Sequence, residues 1–162
     1  MSDPTIRTAT AADLPSLKRA LYLAAVWRGE RSGWSQDRVL EHDYFSKYWR
    51  GWGRPGDIGV VAEVASAVVG AAYARHFTRD DHGYGFVDED TPEITIGVEP
   101  EQRGRGVGTA LLAALATAAR RAGVPALSLS TETDNPARHL YARAGYEVIE
   151  ESTDALVMIL RL

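Results

Sequence analysis

At 162 residues, 45% hydrophobic and 25% charged, the chain has the make-up of one globular domain with room for a substantial core. It contains no cysteine, which excludes disulfides, cysteine-rich zinc sites and any cysteinyl acyl-enzyme. A net charge of −4 argues against a general nucleic-acid binder. No apolar run approaches the length of a membrane span, and Met1-Ser2-Asp3-Pro4 lacks the basic-then-apolar pattern of a signal peptide, so a cytoplasmic location is expected.

In chain order, Thr5-Ile6-Arg7-Thr8 reads as a short strand. Thr10 and Asp13 have the spacing of a capping-box variant, with Pro15 in the first turn of the helix that follows. That helix carries Leu14, Leu17, Leu21 and Ala24 or Ala25 on one face. A second helix is predicted from Ser35 to Trp49, ended by the breaker run Gly51-Trp52-Gly53-Arg54-Pro55-Gly56. Ile58–Val64 and Val68–Phe77 read as β-branched strands around an Ala65-Ser66-Ala67 turn. An acidic, glycine-bearing loop then leads to a strand marked by Ile94, Ile96 and Val98. Beyond three glycines, Val107, Ala110, Leu111, Ala114, Leu115 and Ala118 form the apolar stripe of a long helix. Arg120 and Arg121 occupy its last turn, Gly123 closes it and Pro125 follows. Leu127 and Leu129 alternate with Ser128 and Ser130 as another strand. Asn135-Pro136 combines an N-cap with a first-position proline, opening a short helix that runs to Gly145. Two terminal strands, Tyr146–Glu151 and Ala155–Leu160, complete the order β-α-α-β-β-β-α-β-α-β-β, read as a single α+β domain over residues 1–162.

Most of the functional information lies in Val98–Leu112, V-E-P-E-Q-R-G-R-G-V-G-T-A-L-L. Gly104, Gly106 and Gly108 stand between a strand pattern and a helix pattern. A glycine-rich turn can aim successive N–H groups at an anion, with the positive end of a helix behind them. Arg103 and Arg105 add charge, so the stretch reads as a pyrophosphate cradle. A P-loop needs Gly-Lys followed by Ser or Thr, and there is no lysine here. A Rossmann fingerprint needs Gly or Ala three places after its second glycine, where this chain has Thr109 or Leu111. The remaining pattern, Arg103-Gly104-Arg105-Gly106-Val107-Gly108, resembles the (Gln/Arg)-x-x-Gly-x-(Gly/Ala) motif of the GCN5-related N-acetyltransferases, the GNAT family. A ligand-free glycine turn would look the same in isolation. However, the segment Leu127–Tyr146 is similar to the family's second motif, with Asn135, the Leu140-Tyr141 pair and the closing Gly145-Tyr146. The order of elements is also that of a GNAT domain, so the resemblance spans nearly the whole chain.

The resemblance implies a mixed, mostly antiparallel central sheet flanked by helices, with acetyl-CoA as cofactor. It implies transfer of an acetyl group to a primary amine of a small molecule or peptide. With no cysteine to carry the acyl group, direct attack in a ternary complex is expected. By the same resemblance, Ile96, Gly97 and Val98 offer backbone groups to the pantetheine arm. Arg103, Gly104, Arg105, Gly106, Val107, Gly108 and Thr109 would hold the pyrophosphate, and Asn135 and Arg138 would lie beside the CoA arm. Tyr141 is the candidate general acid for the departing thiolate. Plainer readings stand next to these: Arg103 and Arg105 as solvated rim residues, Asn135 as a helix cap, and Tyr141 as a packing residue on the stripe Ala137, Leu140, Ala144. The general base is expected at Glu93, where the motif strand begins. Alternation puts Glu93 on the opposite face from Ile94, Ile96 and Val98, and as an exposed strand-entry carboxylate it reads equally as structural. Glu89 and Asp90 are loop alternatives.

Trp27, Trp34, Trp49 and Trp52 fall close together, beside Tyr44, Phe45 and Tyr48. In the family this region and the loop before the motif strand shape the acceptor pocket, and an aromatic cluster is able to stack an aromatic or cationic acceptor. A core wedge or a homodimer face explains the cluster equally well. The acidic loop from Asp80 to Glu93 either steers a cationic amine inward or is simply solvated. His42, His76, His82 and His139 are scattered without metal-ligand spacing, so no metal is expected, nor a nucleic-acid or membrane partner. A CoA-binding sensor without turnover and a dimerisation scaffold are the alternative classes.

Overall fold

A computed structural model describes residues 2–27 and 31–162; Met1, part of the segment read above for a signal pattern, lies outside them. Strands β1 (Thr5–Thr8), β2 (Ile58–Val64), β3 (Ala67–Arg75), β4 (Glu93–Val98), β5 (Ala126–Glu132), β6 (Glu147–Glu151) and β7 (Ala155–Arg161) form one sheet, in the order β1-β2-β3-β4-β5-β7-β6. Neighbours run antiparallel except β4 and β5, which are parallel. Helices α1 (Leu14–Ala25), α2 (Gln36–Glu41), α3 (Asp43–Ser46), α4 (Val107–Arg121) and α5 (Ala137–Arg143) surround the sheet. No described helix is long and apolar enough to cross a membrane.

Both faces of the sheet centre are covered, which explains the small residues of β3, A-V-V-G-A-A-Y-A-R. On one face Val107, Leu111 and Leu115 of α4 pack with Val60, Ala72, Ile94 and Leu127. Burying each such leucine contributes about 2 kcal/mol. On the other face Leu17 and Ala20 of α1 meet Val61, Ala71 and Tyr73. Leu21 and Ala25 extend this layer onto Val39, Leu40, Phe45, Tyr48 and Phe77. Because α1 is covered on two sides, its buried stripe is wider than the predicted one and takes in Ala20 and Leu23, while Ala24 is exposed and Ala25 buried. The same holds for α4, where Leu112, Ala116 and Ala119 join the core.

The predicted single helix from Ser35 to Trp49 is two short helices. His42 breaks it with an extended backbone (φ −66°, ψ 134°), and its Nδ1 caps the second helix by accepting the Tyr44 N–H at 3.1 Å. A side-chain acceptor at that point offers the backbone an alternative to continuing the helix. Ala65 and Ser66 form a two-residue hairpin loop, both at positive φ (51° and 69°), so Ala67 already belongs to β3. That strand ends at Arg75, not at Phe77. Arg75 is 1% exposed and gives Nε and Nη2 to Asp57 (3.0 and 2.7 Å) and Nη1 to the carbonyls of Lys47 and Arg50 (3.1 and 2.6 Å). This buried guanidinium, held by four hydrogen bonds, pins the connection after α3 to the sheet.

Candidate active site

Strands β4 and β5 pair at one place, Glu93 opposite Ser128, where the Ser128 N–H donates to the Pro92 carbonyl at 3.0 Å. Beyond it the sheet opens into a wedge. The Glu99 N–H donates to Val69 O at 2.8 Å, which fixes the phase of the β3–β4 ladder. In an antiparallel ladder alternate residues turn both main-chain groups toward the partner. Gly97 and Thr95 therefore face β3, while Ile96 and Val98 turn their main-chain groups into the wedge. Gly97 is glycine for another reason: a Cβ there would stand 2.4 Å from the Ala20 carbonyl oxygen, so α1 lies directly on the strand. Arg19 secures the same contact through two bonds to Glu99 at 2.6 and 3.0 Å.

The wedge widens into a cavity of about 1140 Å³ lined by Ile94–Val98, by Leu129–Glu132, by the glycine turn and by aromatic residues of the α1–α3 layer. At one end stands the N-terminus of α4. Gly104 and Gly106 both hold positive φ (77° and 82°), and no side chain caps the helix. Among the described residues, none supplies a backbone acceptor to the N–H groups of Gly104 through Thr109. A row of free donors at a helix start is a site for an anion. A Cβ on Gly104 or Gly106 would meet nothing within 4 Å, so their surroundings are open. Gly108 instead packs against Leu140, whose Cδ2 a Cβ would meet at 3.0 Å. Arg103 lines the cavity and donates Nε to Val98 O at 3.1 Å, whereas Arg105 lies outside the lining and is exposed.

Toward the middle of the cavity is Glu93. The expectation of an exposed carboxylate is corrected: Glu93 is 5% exposed. Alternation does set it opposite Ile94, but that face is roofed by Tyr48 and by the Gly83–Gly85 segment of the acidic loop. The Tyr48 hydroxyl donates to Glu93 Oε2 at 2.6 Å, and Oε1 is enclosed without a hydrogen-bond partner among the described residues. Burial pushes the carboxyl up to about 7, against the opposing effects of Tyr48, the Gly85 amide, His82 and Lys47. A buried carboxyl titrating near neutrality is suited to moving protons. Glu89 and Asp90 are exposed and away from the cavity.

Tyr141 lies across the cavity, half-buried on α5, and packs edge-on against Tyr146. Burial and the nearby Glu132 charge push its hydroxyl up to about 12, so it stays protonated at neutral pH. Asn135 lines the cavity too, and its Oδ1 caps α5 by accepting the Ala137 N–H at 2.9 Å. Arg138 is outside the lining and donates to the Thr133 carbonyl at 2.8 Å. The tryptophans divide. Trp27 and Trp34 line the cavity, with Trp27 bonded through Nε1 to Glu132. Trp49 donates to the Leu40 carbonyl at 2.9 Å, and Trp52 packs on Tyr73. In the sequence Tyr48 reads as part of the aromatic cluster of the acceptor region, without a link to Glu93, and the glycines at 83 and 85 are not among the site residues read there. The signal for the glycines is the Gly83-Tyr84-Gly85 run in the acidic loop.

Residues 23–146 match the model of the acetyltransferase (GNAT) family. Mycothiol acetyltransferase of Propionibacterium freudenreichii subsp. shermanii is 32% identical over 120 residues, 74% of this chain, and the chain spans 36% of that relative's length. Among solved structures, ribosomal-protein-alanine N-acetyltransferase of Brucella melitensis is 28% identical with a TM-score of 0.69, over 98% of this chain and 99% of that one. The yncA protein of Salmonella typhimurium, solved with acetyl-CoA, is 25% identical with a TM-score of 0.70, over 99% and 95%. With its glycine turn, split sheet and element order on the same pattern, the chain belongs to the GCN5-related N-acetyltransferase (GNAT) family.

Proposed function

We propose that the protein transfers an acetyl group from acetyl-CoA to a primary amine of a small molecule or peptide, in a ternary complex. One observation carries this reading: the uncapped start of α4, the unpaired edges of β4 and β5, Glu93 and Tyr141 all open into the same cavity. The residues present fit the cofactor. The free N–H groups from Gly104 to Thr109, with Arg103 at their edge, suit a pyrophosphate, and the main-chain groups of Ile96 and Val98 suit an extended amide-bearing arm. When bound, acetyl-CoA supplies an activated acyl group as a thioester. Glu93 takes the proton from the entering ammonium, and Tyr141, protonated at working pH, holds a proton for the thiolate that leaves. The aromatic layer and the roof over Glu93 keep water from the carboxylate.

Free-thiol release from acetyl-CoA, measured with a panel of small amines and peptides, tests the reaction. Release that depends on an amine supports it. Tight CoA binding with no amine-dependent release across the panel would leave a CoA sensor instead. Gly106→Asp tests the cradle: the site is open and Asp is among the residues that tolerate its left-handed backbone, at a cost of about 1 kcal/mol, while a carboxylate among the donors repels phosphate. Acetyl-CoA affinity is expected to fall about 100-fold or more, taking a repelled anion as roughly 3 kcal/mol. Retained affinity would remove the loop from the binding site.

A further inference from the structure

The Glu93 carboxylate ends a chain of hydrogen bonds that the sequence did not foretell. The Tyr84 N–H donates to the Tyr44 oxygen at 3.0 Å, the Tyr44 and Tyr48 hydroxyls lie 3.2 Å apart, and the Tyr48 hydroxyl reaches Glu93 Oε2 at 2.6 Å. A backbone N–H can only donate and an ionised carboxylate can only accept. The two ends thus fix the sense of the links between them: Tyr44 donates to Tyr48, and Tyr48 donates to Glu93. Tyr48 has one proton, and it is committed to Oε2. Oε1 is enclosed and has no side-chain donor among the described residues, and the Gly85 amide nearby favours the carboxylate charge.

We propose that Tyr48 is a positioning residue that holds Glu93 Oε2, with Tyr44 orienting it from behind, so that the carboxylate is fixed in one orientation for proton exchange. This rests on the reading of Glu93 as general base. In the reaction the proton passes from the substrate ammonium to the Glu93 carboxylate, the electron pair stays on nitrogen, and Tyr48 keeps its own proton throughout.

The surroundings are shaped for this pair. A Cβ on Gly83 would stand 1.6 Å from the Tyr48 hydroxyl, and one on Gly85 would stand 3.0 Å from the Glu93 carboxyl carbon and 2.7 Å from the Leu129 carbonyl carbon. Only glycine at both places lets the segment close over the pair. The other titratable or charged groups facing Glu93 are Lys47 and His82, which favour its charge, and the phenols of Tyr44 and Tyr73, which do not donate to it. Arg75, the Cα partner of Glu93 on β3, commits its guanidinium to Asp57. Tyr48 therefore supplies the side-chain donor that holds the carboxylate.

The test uses the full chain with Tyr48→Phe and Tyr44→Phe. The Glu93 carboxyl is titrated by NMR of protein carrying carbon-13 in the glutamate carboxyl groups, assigned with Glu93→Gln, and amine-dependent thiol release is followed against pH. Loss of a donor to a carboxylate raises its midpoint, so Tyr48→Phe is expected to move both the NMR midpoint and the lower kinetic limb up by about one pH unit. Tyr44→Phe should move them the same way by less, with acetyl-CoA affinity unchanged. A folded Tyr48→Phe whose midpoint stays put overturns the proposal. If that variant does not fold, an unmoved midpoint in Tyr44→Phe overturns it. The NMR titration needs no turnover. A shifted midpoint without any amine-dependent release would therefore uphold the positioning of Glu93 while sinking acetyl transfer, and normal release with no shift would sink the positioning alone.

Discussion

Burial lifts the Glu93 carboxyl from its ordinary 4.5 to about 7, so between those values the folded chain binds more protons at this site than the unfolded chain does. Stability from this group is present in full below about pH 4.5 and is lost as the pH rises through about 7, a change of about 3 kcal/mol. Glu93→Gln removes that dependence while keeping an acceptor for Tyr48. The variant should unfold at higher temperature than wild type at pH 8, show no advantage at pH 4, and lose most amine-dependent thiol release. Unaltered turnover would show that Glu93 is structural. Tyr141→Phe should lower kcat about 100-fold, within the usual range for a lost general acid, and leave acetyl-CoA affinity intact. Equal turnover across pH would return Tyr141 to the packing role that its stripe with Leu140 and Ala144 also allows. Glu93 was visible as a candidate because it opens the motif strand. Its burial was not, because the roof depends on Tyr48 and Gly85, contacts that no local pattern encodes.

At the scale of elements, local periodicity located α1 and α4 well, since their apolar spacing and caps are properties of short stretches. The break at His42 was hidden because it depends on one imidazole accepting a backbone N–H, and histidine is not a customary cap. Gly97 shows the limit from the other side. It belongs to the motif strand, but its lack of a side chain is demanded by α1, and contact with Ala20 lies far away in sequence. Gly97→Ala would force the helix off the strand, because the opposing atoms are backbone and cannot turn aside. A loss of about 3 kcal/mol is expected, seen as a fall in Tm of roughly 9 °C, whether or not ligand is present. An undiminished Tm would mean that α1 shifts freely on β4.

For the whole molecule, the succession of strands and helices could be read along the chain almost as it stands. The convergence could not. Residues of the glycine turn, of β5, of α5 and of the aromatic layer share one cavity only because β4 and β5 separate after a single pairing, and strand pairing is a non-local choice. The separation has a further effect on how the protein exchanges hydrogen with solvent. The amides of Ile96 and Val98 lie in the middle of the sheet, where neighbouring strands ordinarily shield them, yet they face an open gap. In deuterium-exchange measurements they should label early in the free protein, out of step with Gly97 between them, and slow sharply once acetyl-CoA is added. An alternating fast-slow-fast pattern along three consecutive residues of a central strand would mark the free protein, and its disappearance would report a ligand standing where a strand is missing.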